Sequence, residues 1–207
     1  MRLLGIECAT ENCSVALFEG DELLAGSAQV LGRGHAEALI PLIAALPDKG
    51  KAGRIAVSLG PGSFTGLRVG LAAARALALA WPAELTGYST HALVAAMARA
   101  EAGAEAVCVA MSGGHGEWFV SEYSAQGAVL TAPRSLSPQA AADSVRAGVV
   151  AGSQASELVA RRGHGQALAI LPDARRLNLL GPAEFSGAVH LVYGRAPDAR
   201  LPGEVLR

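Results

Sequence analysis

The chain has 207 residues, 51% of them hydrophobic and 17% charged, with a formal net charge of −1. Such a chain can bury a sizeable core as one large domain or two small lobes, which excludes intrinsic disorder. Near-neutral charge without a long Lys/Arg run argues against free-standing binding to RNA or DNA, though not against membership of a complex that holds RNA. Three cysteines, Cys8, Cys13 and Cys108, lack zinc-type spacing and read as neutral thiols of a reducing cytoplasm. Met1-Arg2 leads directly into a strand-like run, so no signal peptide is expected. Arg75 interrupts the best candidate for a membrane span.

The chain opens with three expected strands, residues 3–8, 13–18 and 22–30. A polar turn at 9–12 joins the first two, and Glu19-Gly20-Asp21 turns the second hairpin. Residues 35–46 read as a helix with Leu39, Ile40, Ile43 and Leu46 on one face and Pro41 inside it, which implies a kink or a late start. A buried strand at 55–59 runs into Gly60-Pro61-Gly62, a forced turn, and then a helix over 66–81, capped by Ser63 or Thr65 and stopped by Pro82. A short strand at 85–88 and a helix at 90–101 follow. Strands at 104–111 and 117–123 flank SGGHG. A helix begins behind Pro138, a strand lies at 149–151, and a further helix opens with Ser153 as cap. The tail reads as irregular. A lobe boundary falls near Ala102-Gly103, giving lobes 1–102 and 103–207. This order of elements is that of an α/β chain built as an actin-like or sugar-kinase-like lobe pair.

The stretch SLGPGSFTGLRVG resembles three catalytic loops and satisfies none. A Walker A loop needs Gly-Lys-Ser/Thr, and Leu67 stands where the Lys should be. The dinucleotide fingerprint needs its third Gly one position earlier than Gly66. A nucleophile elbow needs Gly on both sides of the Ser, and Ser63 has Pro61 and Thr65 there. What remains is strand, turn and helix, with Gly66, Gly70, Ala74 and Ala78 at every fourth position. Such a stripe admits another backbone closely, either in the domain's own core or at a subunit interface. His35 and Glu37 form His-x-Glu, but residues two apart on a helix point to different sides and do not converge on a metal.

Together, LLGIECATENCSVAL, GRGHAEALIPLI, VSLGPGSFTGLRVGLAAARALA, GYSTHALVAA and YGRAPDARLP resemble the bacterial TsaB (YeaZ) family over nearly the whole chain. The resemblance implies the actin-like ATPase (ASKHA) fold, with two lobes that each hold a mixed sheet and flanking helices. It also implies a cytoplasmic, non-catalytic scaffold. Such a scaffold pairs with TsaD in placing threonylcarbamoyl on a tRNA adenosine, reaches TsaE through the complex, meets tRNA only there, and forms a homodimer when the partner is absent. It moves the stripe toward the interface reading, with His35, Leu39, Ile43, Gly66, Leu67, Gly70, Leu71, Ala74 and Ala78 facing a partner. No cofactor of its own is implied, and ATP or ADP would sit at the partner junction. TsaD-like proteins hold a metal with His-x-x-x-His, whereas here His91 is followed four residues later by Ala95. Glu7, Thr10 and Ser14 stand where a vestigial nucleotide loop would lie, with Glu7 in place of the family's usual Asp. Ser112-Gly113-Gly114 replaces a frequent Asp-Ala-Arg. The alternative is an actin-fold small-molecule kinase or ATPase.

Overall fold

The computed structural model describes residues 1–32, 34–103 and 106–192. Strands β1 (Arg2–Glu7), β2 (Asn12–Glu19) and β3 (Glu22–Val30) form an antiparallel meander. The near-continuous apolar runs of β1 and β2 suit strands covered on both faces, and nearly all of β2 is buried. Helix α1 (His35–Ala44) crosses to β4 (Arg54–Ser58), parallel to β1. Helix α2 (Phe64–Ala80) crosses to β5 (Glu84–Tyr88), parallel to β4. The sheet order is β3-β2-β1-β4-β5.

The second half repeats this plan. After α3 (Thr90–Ala102), the strands β6 (Ala106–Gly114), β7 (Glu117–Ser124) and β8 (Val129–Leu136) form a second meander. Helix α4 (Pro138–Ser144) leads to β9 (Val149–Ala151), and α5 (Ala155–Arg162) to β10 (Gln166–Leu168). The order β10-β9-β6-β7-β8 is the first sheet's order with each strand replaced by its counterpart. Two lobes of one topology, each with a mixed sheet, are the actin-like architecture. Between them α3 is buried on all sides from Thr90 to Ala98. It packs on Phe18, Ala56 and Tyr88 of one sheet and on Val107, Met111 and Ala151 of the other. Its run of alanines lets both sheets come near the same helix.

Several expected boundaries shift. The Ser63 hydroxyl accepts the Gly66 amide at 3.2 Å, so α2 starts at Phe64, ahead of the expected 66. Helix α1 ends at Ala44, and a 3-10 turn, Pro47–Gly50, follows. β6 carries on through Ser112-Gly113-Gly114, so the expected loop shrinks to a tight hairpin at His115 and Gly116. Strand β8 was not anticipated, because Pro133 interrupts its pattern; Pro is tolerated there because β8 is an edge strand. Strand β10, three residues long, gives too little pattern to read. Gln154, not Ser153, precedes α5, and the Ser153 hydroxyl instead accepts the Ser112 amide at 3.1 Å.

The tail is less irregular than expected. A 3-10 turn, Ala174–Leu179, crosses back onto β1, β2, β3 and α3. Gly5 and Gly26 make room for it: a Cβ on Gly5 would overlap the Leu177 side chain, and one on Gly26 would press on Arg175. Ser186 and Gly87 exchange backbone hydrogen bonds at 2.8 Å, and the Val192 amide donates to the Leu59 carbonyl at 2.8 Å. Residues 172–192 therefore pack on the first lobe, not on the second to which a division after residue 102 assigns them. The expected motif YGRAPDARLP lies outside the described residues, as do Ala104 and Glu105 of the expected strand.

The stripe on α2 meets this chain's own backbone. A Cβ on Gly66 would overlap the Cys8 carbonyl oxygen, whereas one on Gly70 would lie 3.4 Å from the Cys8 Cβ. Gly66→Ala is therefore expected to cost about 1–3 kcal/mol or more by overpacking, and Gly70→Ala distinctly less. Urea denaturation of the two variants side by side checks the order.

Candidate functional site

The C-terminal end of β1 and the turn after it gather most of the buried polar groups of the first lobe. Glu7 is fully buried. One carboxyl oxygen accepts the Ala9 amide at 2.7 Å; the other lies 3.3 Å from the Tyr88 hydroxyl, which also donates to the Ile6 carbonyl at 2.9 Å. The Cys8 amide donates to the Ser58 hydroxyl at 3.4 Å. No cation faces this carboxyl among the groups that shift it. Burial pushes its pKa up to about 7, and the hydrogen bonds from Ala9, Ser58, Tyr88 and Cys8 only partly offset that.

The residues expected of a vestigial nucleotide loop do not face open space. Ser14 is fully buried and its hydroxyl accepts the Ala174 amide at 2.9 Å. The Asn12 side-chain amide donates to the Pro172 carbonyl at 2.9 Å. Thr10 is buried, its hydroxyl accepting the Asn12 amide at 3.2 Å and its carbonyl bonded to His35. The returning tail thus engages Asn12 and Ser14, while Glu7 and Thr10 are bonded to Ala9, Tyr88, Asn12 and His35 of the first lobe itself. His91 is buried between the lobes with Nδ1 2.7 Å from the Ser121 hydroxyl, and burial pushes its pKa down to about 3. Among the described residues, no three His, Cys, Asp or Glu side chains are grouped so as to hold a metal ion.

The residues expected at a partner interface also sit elsewhere. Leu39 is 1% exposed and Ile43 3%, and both pack with Leu4, Val15 and Val57 in the core beneath α1. Leu67, Leu71 and Ala74 are buried, as are Gly66 and Gly70. His35 Nε2 donates to the Thr10 carbonyl at 2.7 Å. Ala78, half-buried, keeps some access to solvent. The interface assignment is corrected for Leu39, Ile43, Leu67, Leu71 and Ala74 because these side chains are already buried within this chain. Ile40, which periodicity placed on one face with Leu39, Ile43 and Leu46, instead points outward, and so do residues of α2 that periodicity did not single out. Ile40 is 49% exposed, Phe64 53% and Leu79 86%. Ala72 and Ala76 lie exposed along the same stretch of α2, and the Arg68 guanidinium stacks 3.5 Å from the Phe64 ring centre. An apolar residue at 79 on an otherwise amphipathic helix is the signal that could have found this face.

The family model described as TsaD, tRNA N6-adenosine threonylcarbamoyltransferase, matches residues 29–192. The tRNA threonylcarbamoyladenosine biosynthesis protein TsaB of Escherichia coli (strain K12) is 35% identical over 128 residues, which are 59% of this chain and 55% of that protein. YeaZ from Pseudomonas aeruginosa superimposes with a TM-score of 0.76 at 27% identity, over 93% of this chain and 99% of that one. The chain belongs to this family, on its TsaB/YeaZ branch. The sequence match spans about half the length of the curated TsaB relative. The ethanolamine utilization protein EutJ from Carboxydothermus hydrogenoformans shares the fold, with a TM-score of 0.53 at 12% identity over 87% of this chain and 90% of that one.

In this TsaB/YeaZ-type chain, Glu7 has become a structural acid. Its pKa is near 4.5 in an unfolded chain and about 7 in the fold. Between those values the folded state holds a proton that the unfolded state has lost, so this residue's contribution to stability falls as pH rises through that window. The shift is worth about 3 kcal/mol. Glu7→Gln keeps an acceptor for the Ala9 amide and has no proton to lose. The stability of Glu7→Gln minus that of the natural chain, from urea melts at pH 5 and pH 8, is expected to rise with pH toward that magnitude.

Proposed function

We propose that the chain is a non-catalytic scaffold and activator in the biosynthesis of threonylcarbamoyladenosine on tRNA, docking a TsaD subunit through the outer face of α1 and α2. The observation that carries this reading is the pairing of a closed cleft with an open helix face. At the end of β1, Ser14 and Asn12 are bound by the returning tail. Elsewhere on α1 and α2, Ile40, Phe64 and Leu79 are exposed. Exposed apolar side chains so placed favour a protein partner. The TsaB and YeaZ relatives support the pathway, and the family match supports a partner of the same fold. A partner built on the same topology would offer its own pair of crossover helices.

Docking of this kind acts by population. If the TsaD active site is competent in only some of its conformations, a subunit that binds those better raises their share without contributing a catalytic group. The filled cleft supports this reading over that of a small-molecule kinase or ATPase. The deciding experiment is a tRNA modification assay with each subunit omitted in turn, alongside ATP hydrolysis by the chain alone. Activity that needs this chain, with none from it in isolation, is the expected result. Phosphate release by the purified chain would overturn it.

Leu79→Asp is expected to weaken TsaD binding at least tenfold by calorimetry, since a charge replaces an apolar anchor. It should change the stability of the isolated chain by no more than about 0.5 kcal/mol. Leu39→Ala is expected to behave oppositely, costing the isolated chain about 2–5 kcal/mol in urea melts through the cavity it leaves.

A further inference from the structure

Two thiols face each other across the first hairpin. The ladder between β1 and β2 pairs Ile6 with Val15 and Glu7 with Ser14. The next opposed positions are Cys8 and Cys13, whose Sγ atoms are 3.7 Å apart; both residues are free thiols and fully buried. Directly opposed residues on antiparallel strands have Cα atoms about 4.5–5.5 Å apart, within the range a disulfide spans. Bonding needs the sulfurs to close to about 2.05 Å, a movement of the side chains and the turn with no rearrangement of the sheet. The third cysteine, Cys108, belongs to the core of the second lobe and has no part in this pair.

The pair also sits at the seat of α2. The Cys8 side chain occupies the notch left by Gly70: a Cβ there would lie 3.4 Å from its Cβ and 3.7 Å from its sulfur. The Cys8 carbonyl lies under Gly66. The Ala9 carbonyl accepts the Ser63 amide at 2.7 Å, and Thr10 binds the first residue of α1. Closing the Cys8 sulfur on Cys13 moves a side chain packed in the Gly70 notch and pulls on the turn that holds both helices.

We propose that Cys8 and Cys13 form a reversible disulfide that closes the β1–β2 turn and loosens the N-terminal half of α2. The oxidant class is a small-molecule disulfide. The Cys13 thiolate attacks one oxidant sulfur, forming a mixed disulfide and releasing one thiolate. The Cys8 thiolate then attacks the Cys13 sulfur and releases the second. The cysteines are oxidised, the oxidant is reduced to two thiols, and the two protein protons end on those thiols. Cys13 is the attacking partner: the hydrogen bond from Cys8 holds its pKa below the usual thiol value, while the same contact and burial push Cys8 up. Because both side chains are buried, the oxidant meets them when the turn opens, and an equilibrium measurement avoids dependence on that rate. An effect on partner binding rests on the docking face proposed above; the disulfide and its effect on α2 do not.

The test uses the whole chain, equilibrated under native conditions with oxidised glutathione or with dithiothreitol, then unfolded and alkylated. Both cysteines lie in one tryptic peptide, residues 3–33. After oxidised glutathione that peptide is expected to have lost two hydrogens and to take no alkyl group. After dithiothreitol it should take two, and Cys8→Ser should give at most a mixed disulfide at Cys13. Amide hydrogen exchange over residues 66–74 should be at least tenfold faster in the oxidised chain. A peptide that remains fully alkylatable after oxidation overturns the pair. A disulfide with unchanged exchange in α2 overturns the coupling. Both readouts use the isolated chain, so they stand or fall separately from TsaD docking.

Discussion

The first lobe is organised by the approach of one backbone to another. Residues 8–10 run beneath the N-terminal half of α2 at a distance no side chain on Gly62 or Gly66 would permit. From that contact the neighbouring elements take their positions. The Ala9 carbonyl fixes the Ser63 amide at the helix start, the Thr10 carbonyl fixes His35 at the start of α1, and the Glu11 carbonyl accepts the Leu31 amide at 2.8 Å. Each of these acceptors is a main-chain group that would otherwise need water. Glycine is required on the helix side because a carbonyl oxygen, unlike a flexible side chain, cannot move aside.

The second lobe uses the same device in weaker form. Its Gly152, at φ +110°, precedes α5 as the Gly60-Pro61-Gly62 turn precedes α2. A Cβ on Gly152 would overlap the Ala110 carbonyl of β6, the strand that corresponds to β1. The Gln154 amide donates to that carbonyl at 3.0 Å, as the Ser63 amide does to Ala9. In the first lobe the second crossover helix is thus seated just past the end of the central strand, and in the second lobe on its middle, at Ala110. The lobes also differ in what happens beyond the strand's end. In the first, the tail returns and covers it; in the second, a Cβ on Gly114 or Gly116 of the β6–β7 hairpin would meet nothing within contact distance.

The first meander, the β6–β7 hairpin and the crossover helices were legible in the sequence because each depends on short-range signals. Glu19-Gly20-Asp21 marks the turn into β3, the Gly60-Pro61-Gly62 turn marks the start of α2, and Pro138 marks the start of α4. What was not legible depends on distant contacts. Strand β8 carries Pro133 and is a strand because β7 offers it a ladder. Ser14 stands where the resemblance places a nucleotide loop, and nothing near it in sequence announces that Ala174, far along the chain, donates to it. The small-residue stripe is the sharpest case. A spacing of four specifies that something comes close to Gly66 and Gly70, but not whether it belongs to the same chain.

The inner and outer faces of α2 are connected by rigidity. On the inner side, Leu67, Leu71 and Ala74 are locked in the core, and the glycines admit the turn. Farther along, the Arg75 guanidinium donates to the Val189 carbonyl of the returning tail at 3.2 Å. The Arg68 guanidinium carbon lies 3.5 Å from the centre of the Phe64 ring, which limits the rotamers of both. A helix held at these points presents Phe64, Ala72, Ala76 and Leu79 in a fixed arrangement before any partner arrives. Under the docking proposed above, association would order few additional groups, and more of the apolar burial would appear as affinity. The tail that covers the end of β1 and the tail that steadies α2 are the same segment. Covering the cleft and stiffening the helix face are therefore two results of one chain reversal after β10.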